Sequence, residues 1–305
     1  MKIEASIVIP FIIFTAIWGS TWIVIRDQIG HVPAMWSVAY RFVIAAAAMA
    51  GVARWQGHRL APSRGLLGSA AFLGIAQFSA NFGCVYQAEH FVTSGLVATV
   101  FALLLIPNSL LAWAYLGQRP GRAFLLGGAV AVAGVALLFA HELSAAPGRG
   151  GQILAGLGWT IVGLSGASLA NVFQAGERAR RYPLPALLAW SMAIGALADV
   201  AVALVTAGPP TIDPRPGYWL GLLYLALAAS VLCFSLYFPV VRKIGPGKAA
   251  YSSVLVPIIA MAISTFVEGY RWTPLAVAGA ALAITGMLVA LLWRRPLVAA
   301  APDAG

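Results

Sequence analysis

Residues 123–140 read AFLLGGAVAVAGVALLFA and contain no charged side chain. A helix of this length and composition suits a bilayer, because about 20 apolar residues span a hydrocarbon core of roughly 30 Å. Comparable stretches recur along the whole chain of 305 residues, which is 61% hydrophobic and only 9% charged. An ordinary soluble domain carries about 25% charged residues. The sequence therefore predicts an all-α integral membrane protein.

Glycine, proline and charged residues break the apolar sequence into ten predicted transmembrane helices. We place them at residues 5–25, 34–54, 65–87, 92–115, 122–140, 152–173, 185–206, 218–240, 247–268 and 273–293. Only Glu89 and His90 separate the third helix from the fourth. We interpret this pair as a tight turn at the membrane surface.

Positive charge is concentrated on one side of these helices. Fourteen of the 19 Lys and Arg residues fall in one set of alternating loops and four in the other, while Arg41 lies within the second helix. Cytoplasmic loops retain positive charge, so both termini are predicted to be cytoplasmic in a multi-pass protein of the bacterial inner membrane. The net charge of +10 is thereby explained by topology, and we predict the lipid bilayer, not nucleic acid, as the partner.

The chain also reads as two copies of one unit, joined near residues 147–151. Three markers recur in each copy: Tyr86, Pro107 and Gln118 in the first, and Tyr237, Pro257 and Glu268 in the second. Their intervals are 21 and 11 residues, then 20 and 11. Five helices per copy is an odd number, so the second copy is predicted to be inverted in the membrane. We predict repeats at 1–146 and 151–296, a cytoplasmic tail at 297–305, and hinges at the two mid-helix prolines.

Several short motifs are similar to those of the EamA-type transporters in the drug/metabolite transporter superfamily. They are Trp18-Gly19-Ser20, Pro33, Tyr40-Arg41-Phe42, and the mid-helix proline followed 11 residues later by an acidic or amide residue. The resemblance covers nearly the whole chain. It implies ten helices in two inverted halves and the export of amino acids, other metabolites or drugs, with aromatic amino-acid exporters as one branch. Gln118 stands where the family commonly has Glu, so a carboxylate is kept only at Glu268.

Polar and aromatic side chains within apolar spans are candidate substrate contacts, because polar groups are costly in lipid and tend to face the bundle interior. On helical spacing, Gln77 and Asn81 share one face of the third helix with Gly74 and Cys84. Two amides on one face either orient a ligand or join helices by hydrogen bonds. The predicted substrate-binding residues are Trp18, Gln77, Asn81, Ser168, Asn171, Tyr224, Ser235 and Ser253.

Two ionisable residues lie within spans, Arg41 in the second helix and Asp199 in the seventh. Arg41 fits either a structural pair, the preferred interpretation, or a contact for a substrate carboxylate. Asp199 fits either a position reaching toward the outer interface, again preferred, or a proton-coupling site.

These features favour a secondary transporter that exports small metabolites, most of all aromatic or large neutral amino acids, by alternating access. No G-x-x-x-x-G-K-[ST] motif is present to bind ATP. An intramembrane lipid-modifying enzyme would need clustered carboxylates or histidines, whereas the nine acidic residues are scattered and the four histidines stand alone. A channel or noncatalytic membrane scaffold would need charge rings or an added soluble domain. We therefore expect no enzymatic activity, no cofactor and no metal.

Small residues four apart occur in the fifth and tenth helices, as Gly127 with Ala131 and Gly279 with Ala283. This spacing lets helix backbones approach closely. It fits either a homodimer interface or packing within one chain.

Overall fold

The structure is a computed structural model that describes residues 5–145, 148–250 and 252–292, and these residues form helices and turns without any strand. The long helices are α1 (Ala5–Gln28), α2 (Ala34–Trp55), α3 (Arg64–Ala88), α4 (Ser94–Leu116), α5 (Arg122–Ala145), α6 (Gly150–Ala175), α7 (Leu184–Ala207), α8 (Pro216–Ile244), α9 (Ser252–Val267) and α10 (Pro274–Leu292). Short helical turns occupy Glu177–Arg180 and Pro246–Ala249. The predicted tail at 297–305 lies outside the described residues.

Eight of these helices, α1 to α8, are long and apolar enough to cross a membrane. In the described part of the chain, α9 and α10 contribute the shorter apolar helices Leu255–Val267 and Pro274–Ala290. The all-α class predicted from the sequence is confirmed for the described residues. Membrane crossing by α9 and α10 stays a prediction.

Helices α3, α4 and α8 depart from regular α-helix near their middles. Residues Gly74–Asn81 of α3 and Tyr224–Leu232 of α8 are π-helix, and Ala102–Leu104 of α4 is 3₁₀-helix. Pro107 accounts for the irregularity in α4, because it cannot donate to the carbonyl four residues earlier and its ring crowds that carbonyl. The wider π-helical turns change which side chains share a face.

The helices associate across the two halves of the sequence. Helix α5 packs on α10, α2 on α7, and α4 on α9. Helix α1 packs on α8 and α9, just as α6 packs on α3 and α4, and α2 contacts α8 as α7 contacts α3. If α1 to α5 are renumbered as α6 to α10 and the reverse, the same set of helix pairs is obtained. The packing is therefore symmetric between the two halves.

Glycines bring α5 and α10 into backbone contact. A Cβ built on Gly134 would lie 2.6 Å from the carbonyl oxygen of Gly279, and one built on Gly286 would lie 2.6 Å from that of Gly127. The small residues therefore pack against each other within one chain. They are not available to a second copy, so the homodimer alternative is wrong for these positions.

The turn between α3 and α4 differs from its predicted form. His90 is exposed, as a surface turn requires, but Glu89 has none of its surface exposed. The interpretation of both residues as a surface pair is therefore wrong for Glu89. The cause is tertiary, since the end of α9 and the end of α1 come close to this turn.

Candidate functional site

A central cavity of about 120 Å³ lies between α1, α2, α3, α4, α6, α8 and α9, so both halves of the chain contribute to its wall. Its lining residues are Trp18, Thr21, Trp22, Ile25, Arg41, Gln77, Asn81, Phe82, Val85, Ala98, Phe101, Leu104, Ala167, Asn171, Phe234, Tyr237, Ser252, Ser253, Val256 and Pro257. Aromatic and aliphatic groups make most of this wall, with a few polar groups among them.

Trp18 is fixed by its indole nitrogen. The Nε1–H group donates to the backbone carbonyl of Ala229 at 3.0 Å, in the π-helical stretch of α8. The ring also makes edge contacts with Tyr237 and Phe234, at centroid distances of 4.9 and 5.5 Å. With its nitrogen engaged, Trp18 offers the cavity an aromatic surface more than a hydrogen-bond donor.

Amide side chains supply polar groups from opposite sides of the cavity. Gln77 and Asn81 reach it from α3 and Asn171 reaches it from α6. The Oδ1 atom of Asn81 is buried and has no hydrogen-bond partner, whereas Asn171 interacts with Tyr237 and makes a long 3.5 Å contact with Asn108. An unsatisfied buried amide costs about 1–3 kcal/mol, which a bound ligand can recover.

Arg41 brings a full positive charge to the same cavity. Its Nε donates to Ser230 Oγ at 3.0 Å, and its guanidinium carbon lies 4.2 Å from the centre of the Phe82 ring. Its Nη1 has no hydrogen-bond partner. No acidic residue in the described part of the chain forms an ion pair with Arg41. Its partners are the hydroxyl groups of Ser230 and Tyr86 and the ring of Phe82.

Asp199 is not at an exposed interface. None of its surface is exposed, and neither carboxylate oxygen has a hydrogen-bond partner. The preferred outer-interface interpretation is therefore wrong, because α7 is covered by α2 and α3 along this face. Asp199 also lies outside the lining of the central cavity.

Five of the predicted substrate-binding residues line the cavity, and three do not. Trp18, Gln77, Asn81, Asn171 and Ser253 line it, together with Arg41 and the predicted hinge Pro257.

The other three predicted binding residues lie outside the lining of the cavity. Tyr224 bonds to Ser20 at 2.7 Å between their hydroxyl groups, Ser235 faces the sulfur of Met49, and Ser168 is buried away from the lining. Pro107 is also outside the lining. The π-helical stretch of α8 explains why Tyr224 and Ser235 lie outside this lining, because it rotates that face away from the one given by regular α-helical spacing. Their role in substrate binding stays a prediction.

Sequence reasoning missed Tyr237, Phe234, Phe82 and Phe101 as cavity residues. A signal was present for Tyr237, which is the repeat partner of Tyr86. The predicted stripe on α3 is also divided: Gly74 packs on the Ser191 backbone of α7, while Cys84 packs on Gly163 of α6.

A cavity with amides, a buried guanidinium and aromatic walls, enclosed by helices of membrane-spanning length, is typical of multi-pass membrane transporters. The chain belongs to the EamA-like transporter family, whose sequence profile matches residues 5–140 and again residues 153–292. The family resemblance predicted from the short motifs is thus confirmed. The protein is a membrane transporter and not an enzyme.

Relatives of similar length share this sequence pattern. The inner membrane transporter YedA of Escherichia coli (strain K12), which is itself uncharacterised, is 28% identical over 93% of this chain and 91% of its own. A probable amino-acid metabolite efflux pump of Salmonella typhimurium is 27% identical over 91% of this chain and 92% of its own. One solved crystal structure superposes with a TM-score of 0.66 over 95% of this chain and 98% of its own, at 18% identity, and shows the fold alone.

Proposed function

We propose that this protein is a secondary transporter that exports small metabolites, above all aromatic or large neutral amino acids, across a bacterial inner membrane by alternating access. The central cavity carries this proposal, because helices from both halves enclose it and because three of its polar atoms, Trp22 Nε1, Arg41 Nη1 and Asn81 Oδ1, have no hydrogen-bond partner. Cavities of this kind bind ligands at the interface between repeats.

The lining matches the parts of an amphipathic amino acid. The unpartnered Nη1 of Arg41 suits a carboxylate, since a guanidinium forms charge-assisted hydrogen bonds with carboxylate oxygens. The Asn81 oxygen suits the amino group, and the ring of Trp18 suits an apolar side chain. A cavity of about 120 Å³ is smaller than the roughly 300–1,000 Å³ of pockets for drug-sized ligands, which favours a small metabolite.

The comparison with relatives supports the direction and the substrate class. The relatives in Salmonella typhimurium and Escherichia coli bear the name of a probable amino-acid metabolite efflux pump. The relative YedA is named as an inner membrane transporter.

Two inverted repeats of five helices are the proposed architecture, with α9 and α10 as the ninth and tenth crossings. The support comes from the exchange symmetry of the helix pairs, the two profile matches and the π-helical stretches at corresponding places in α3 and α8. The proposed units are residues 1–146 and 151–296, and the distribution of Lys and Arg favours cytoplasmic termini.

Alternating access needs helices that bend near the cavity. Pro257 lines the cavity, and the 3₁₀-helical stretch of α4 lies one turn before Pro107. Both prolines remove a main-chain hydrogen bond and so weaken their helices locally. We assign the hinges of the two halves to these positions.

Counterflow in proteoliposomes tests the function. Purified protein is reconstituted with internal unlabelled amino acid, and uptake of radiolabelled L-phenylalanine, L-tryptophan, L-leucine and L-lysine is followed with and without a pH gradient. Saturable exchange of the aromatic or large neutral compounds is expected. Folded protein that exchanges none of them would contradict the amino-acid assignment.

The cavity assignment has matched variants. Gln77→Leu and Asn81→Leu should abolish exchange while the protein remains folded, because each removes an amide from the cavity. Ser165→Ala is the control, since Ser165 is exposed on α6 and bonds only within its own helix, to Ile161 at 2.8 Å. Unchanged exchange in both Leu variants would mean that these amides serve packing only.

A further inference from the structure

Four helix ends meet on the side of the molecule opposite the positively charged loops. Glu268, just after α9, accepts hydrogen bonds from the backbone N–H and the hydroxyl of Ser94 at the start of α4, at 3.3 and 2.6 Å. Arg26, near the end of α1, places its Nε 3.7 Å from Glu268 Oε1. Arg26 also donates to the main-chain carbonyl of Glu89, just after α3. These contacts join the outer ends of α1, α3, α4 and α9.

The charges of Arg26, Glu89 and Glu268 do not balance if both glutamates are ionised. Arg26 supplies one positive charge, and its ion pair is with Glu268, not with the side chain of Glu89. The Glu89 carboxyl group is wholly buried, and neither of its oxygens has a hydrogen-bond partner. A second carboxylate buried without a partner is strongly unfavourable, and such a group binds a proton instead.

The neighbours of Glu89 are few and can be named by element. Helix α1 contributes Arg26, α3 contributes Tyr86, the turn contributes His90, and the end of α9 contributes Glu268. Helix α4 contributes Ser94, which is neutral and bonds to Glu268. Burial raises the pKa of Glu89 well above its usual range, the nearby Glu268 carboxylate raises it further, and Arg26 opposes the shift.

We propose that the Glu89 carboxyl group is a proton-binding site, and that a proton taken from the outer solution holds the outer ends of α1, α3, α4 and α9 together. When these ends separate, water reaches Glu89, its O–H bond breaks, and the proton passes to water and leaves a solvated carboxylate. In the proposed exporter, external acid then favours the state closed to the outside. The inference deepens the proposed function by adding an ion that controls one of its two gates.

The test measures separation of the outer ends directly and needs no substrate. Spin labels are attached at Gly30→Cys, just after α1, and at Arg271→Cys, after α9, in protein with Cys84→Ala and Cys233→Ala. Both positions are exposed, and the distance between the labels is measured by pulsed electron resonance in nanodiscs. The ratio of the short to the long distance should fall by at least about threefold between about pH 5 and about pH 8. Each unit by which the pKa of Glu89 differs between the two states changes this ratio by up to about tenfold, and the full change appears only over a pH range that covers both values.

Three further variants make the outcome decisive. Glu89→Gln imitates the protonated carboxyl group, so the short distance should dominate at both pH values, whereas Glu89→Asp should keep a pH dependence. Asp213→Asn is the matched control, because it neutralises another buried acid, which pairs with Arg215 outside this group of helix ends, and it should leave the pH dependence intact. A pH-independent distance in the parent, or an unchanged pH dependence in Glu89→Gln, would overturn the proposal. Since no amino acid is present, failure of the transport assay leaves this result unaffected.

Discussion

The indole nitrogen of Trp18 lies 3.0 Å from the backbone carbonyl oxygen of Ala229, so one hydrogen bond joins the middle of α1 to the irregular middle of α8. The same ring lines the central cavity. A change in the position of α8 relative to α1 would therefore also move the Trp18 ring in the cavity wall.

Replacing this side chain should separate its two roles. Trp18→Phe keeps an aromatic ring but loses the hydrogen bond, which is worth about 0.5–1.5 kcal/mol of stability. We expect a small fall in the thermal midpoint and a fall of about tenfold in exchange, equivalent to about 1.4 kcal/mol of binding. Trp159→Phe serves as the control, because Trp159 is 42% exposed on α6. Equal losses in both variants would contradict a special role for Trp18.

Asp199 gives a second prediction, about pH. Its buried carboxyl group lacks hydrogen-bond partners and lies outside the lining of the cavity, so Asp199→Asn should preserve the fold without the cost of burying a charge. If Asp199 couples protons to export, this variant should flatten the pH dependence of exchange. Measuring initial rates over a pH series in both proteins checks this, and an identical profile would remove Asp199 from the coupling machinery.

The contact between α5 and α10 predicts opposite effects for two glycines on one helix. In Gly134→Ala the new methyl group meets the Gly279 carbonyl at 2.6 Å, and overpacking of this kind costs about 1–3 kcal/mol. In Gly128→Ala the methyl group meets Ile106 at an ordinary 3.5 Å, so higher helix propensity should leave stability equal or improved. Thermal unfolding in detergent distinguishes them. A Gly134→Ala protein as stable as its parent would mean that the backbones of α5 and α10 are not in contact at this position.

An ion pair in the loop before α8 predicts how stability changes with acid. Arg215 lies 2.8 Å from Asp213 Oδ2, and its hydrogen bonds lower the pKa of Asp213. Because the folded pKa is the lower one, the pair stabilises fully above the ordinary Asp value of about 3.9, and this contribution is lost as the pH falls through the folded value.

Asp213→Asn should therefore lower the thermal midpoint at neutral pH, and the difference from the parent should disappear in acid. The measurement is thermal unfolding over a pH series. Arg149→Gln is a suitable control, because Arg149 is exposed and bonds only to the nearby Gln152. A deficit in Asp213→Asn that persists unchanged in acid would contradict the assignment.

The sequence was sufficient for the helical class and for much of the cavity. Apolar length and charged breaks define the spans because lipid imposes both, and the polar positions Gln77, Asn81 and Asn171 stand out against apolar neighbours. Tyr224 and Ser235 lie outside the cavity lining, and regular spacing does not anticipate this because it does not predict a π-helical stretch.

Glu89 was misplaced for a different reason. A glutamate beside a histidine between two apolar runs looks like a surface turn, and nothing local shows that Glu268 and Arg26 will cover it. The same holds for Asp199, whose burial depends on α2 and α3. Contacts between distant segments determine which charges are buried. Local patterns in a single sequence do not predict those contacts.

The glycine contact between α5 and α10 also has a consequence for biosynthesis. Helix α5 (Arg122–Ala145) is made well before α10 (Pro274–Leu292), and translation at about 5–20 residues per second separates them by on the order of ten seconds. Throughout that interval the bare glycine face of α5 lies in the membrane without its partner. In the nascent chain this glycine face of α5 must therefore contact either the insertion machinery or lipid until α10 is inserted.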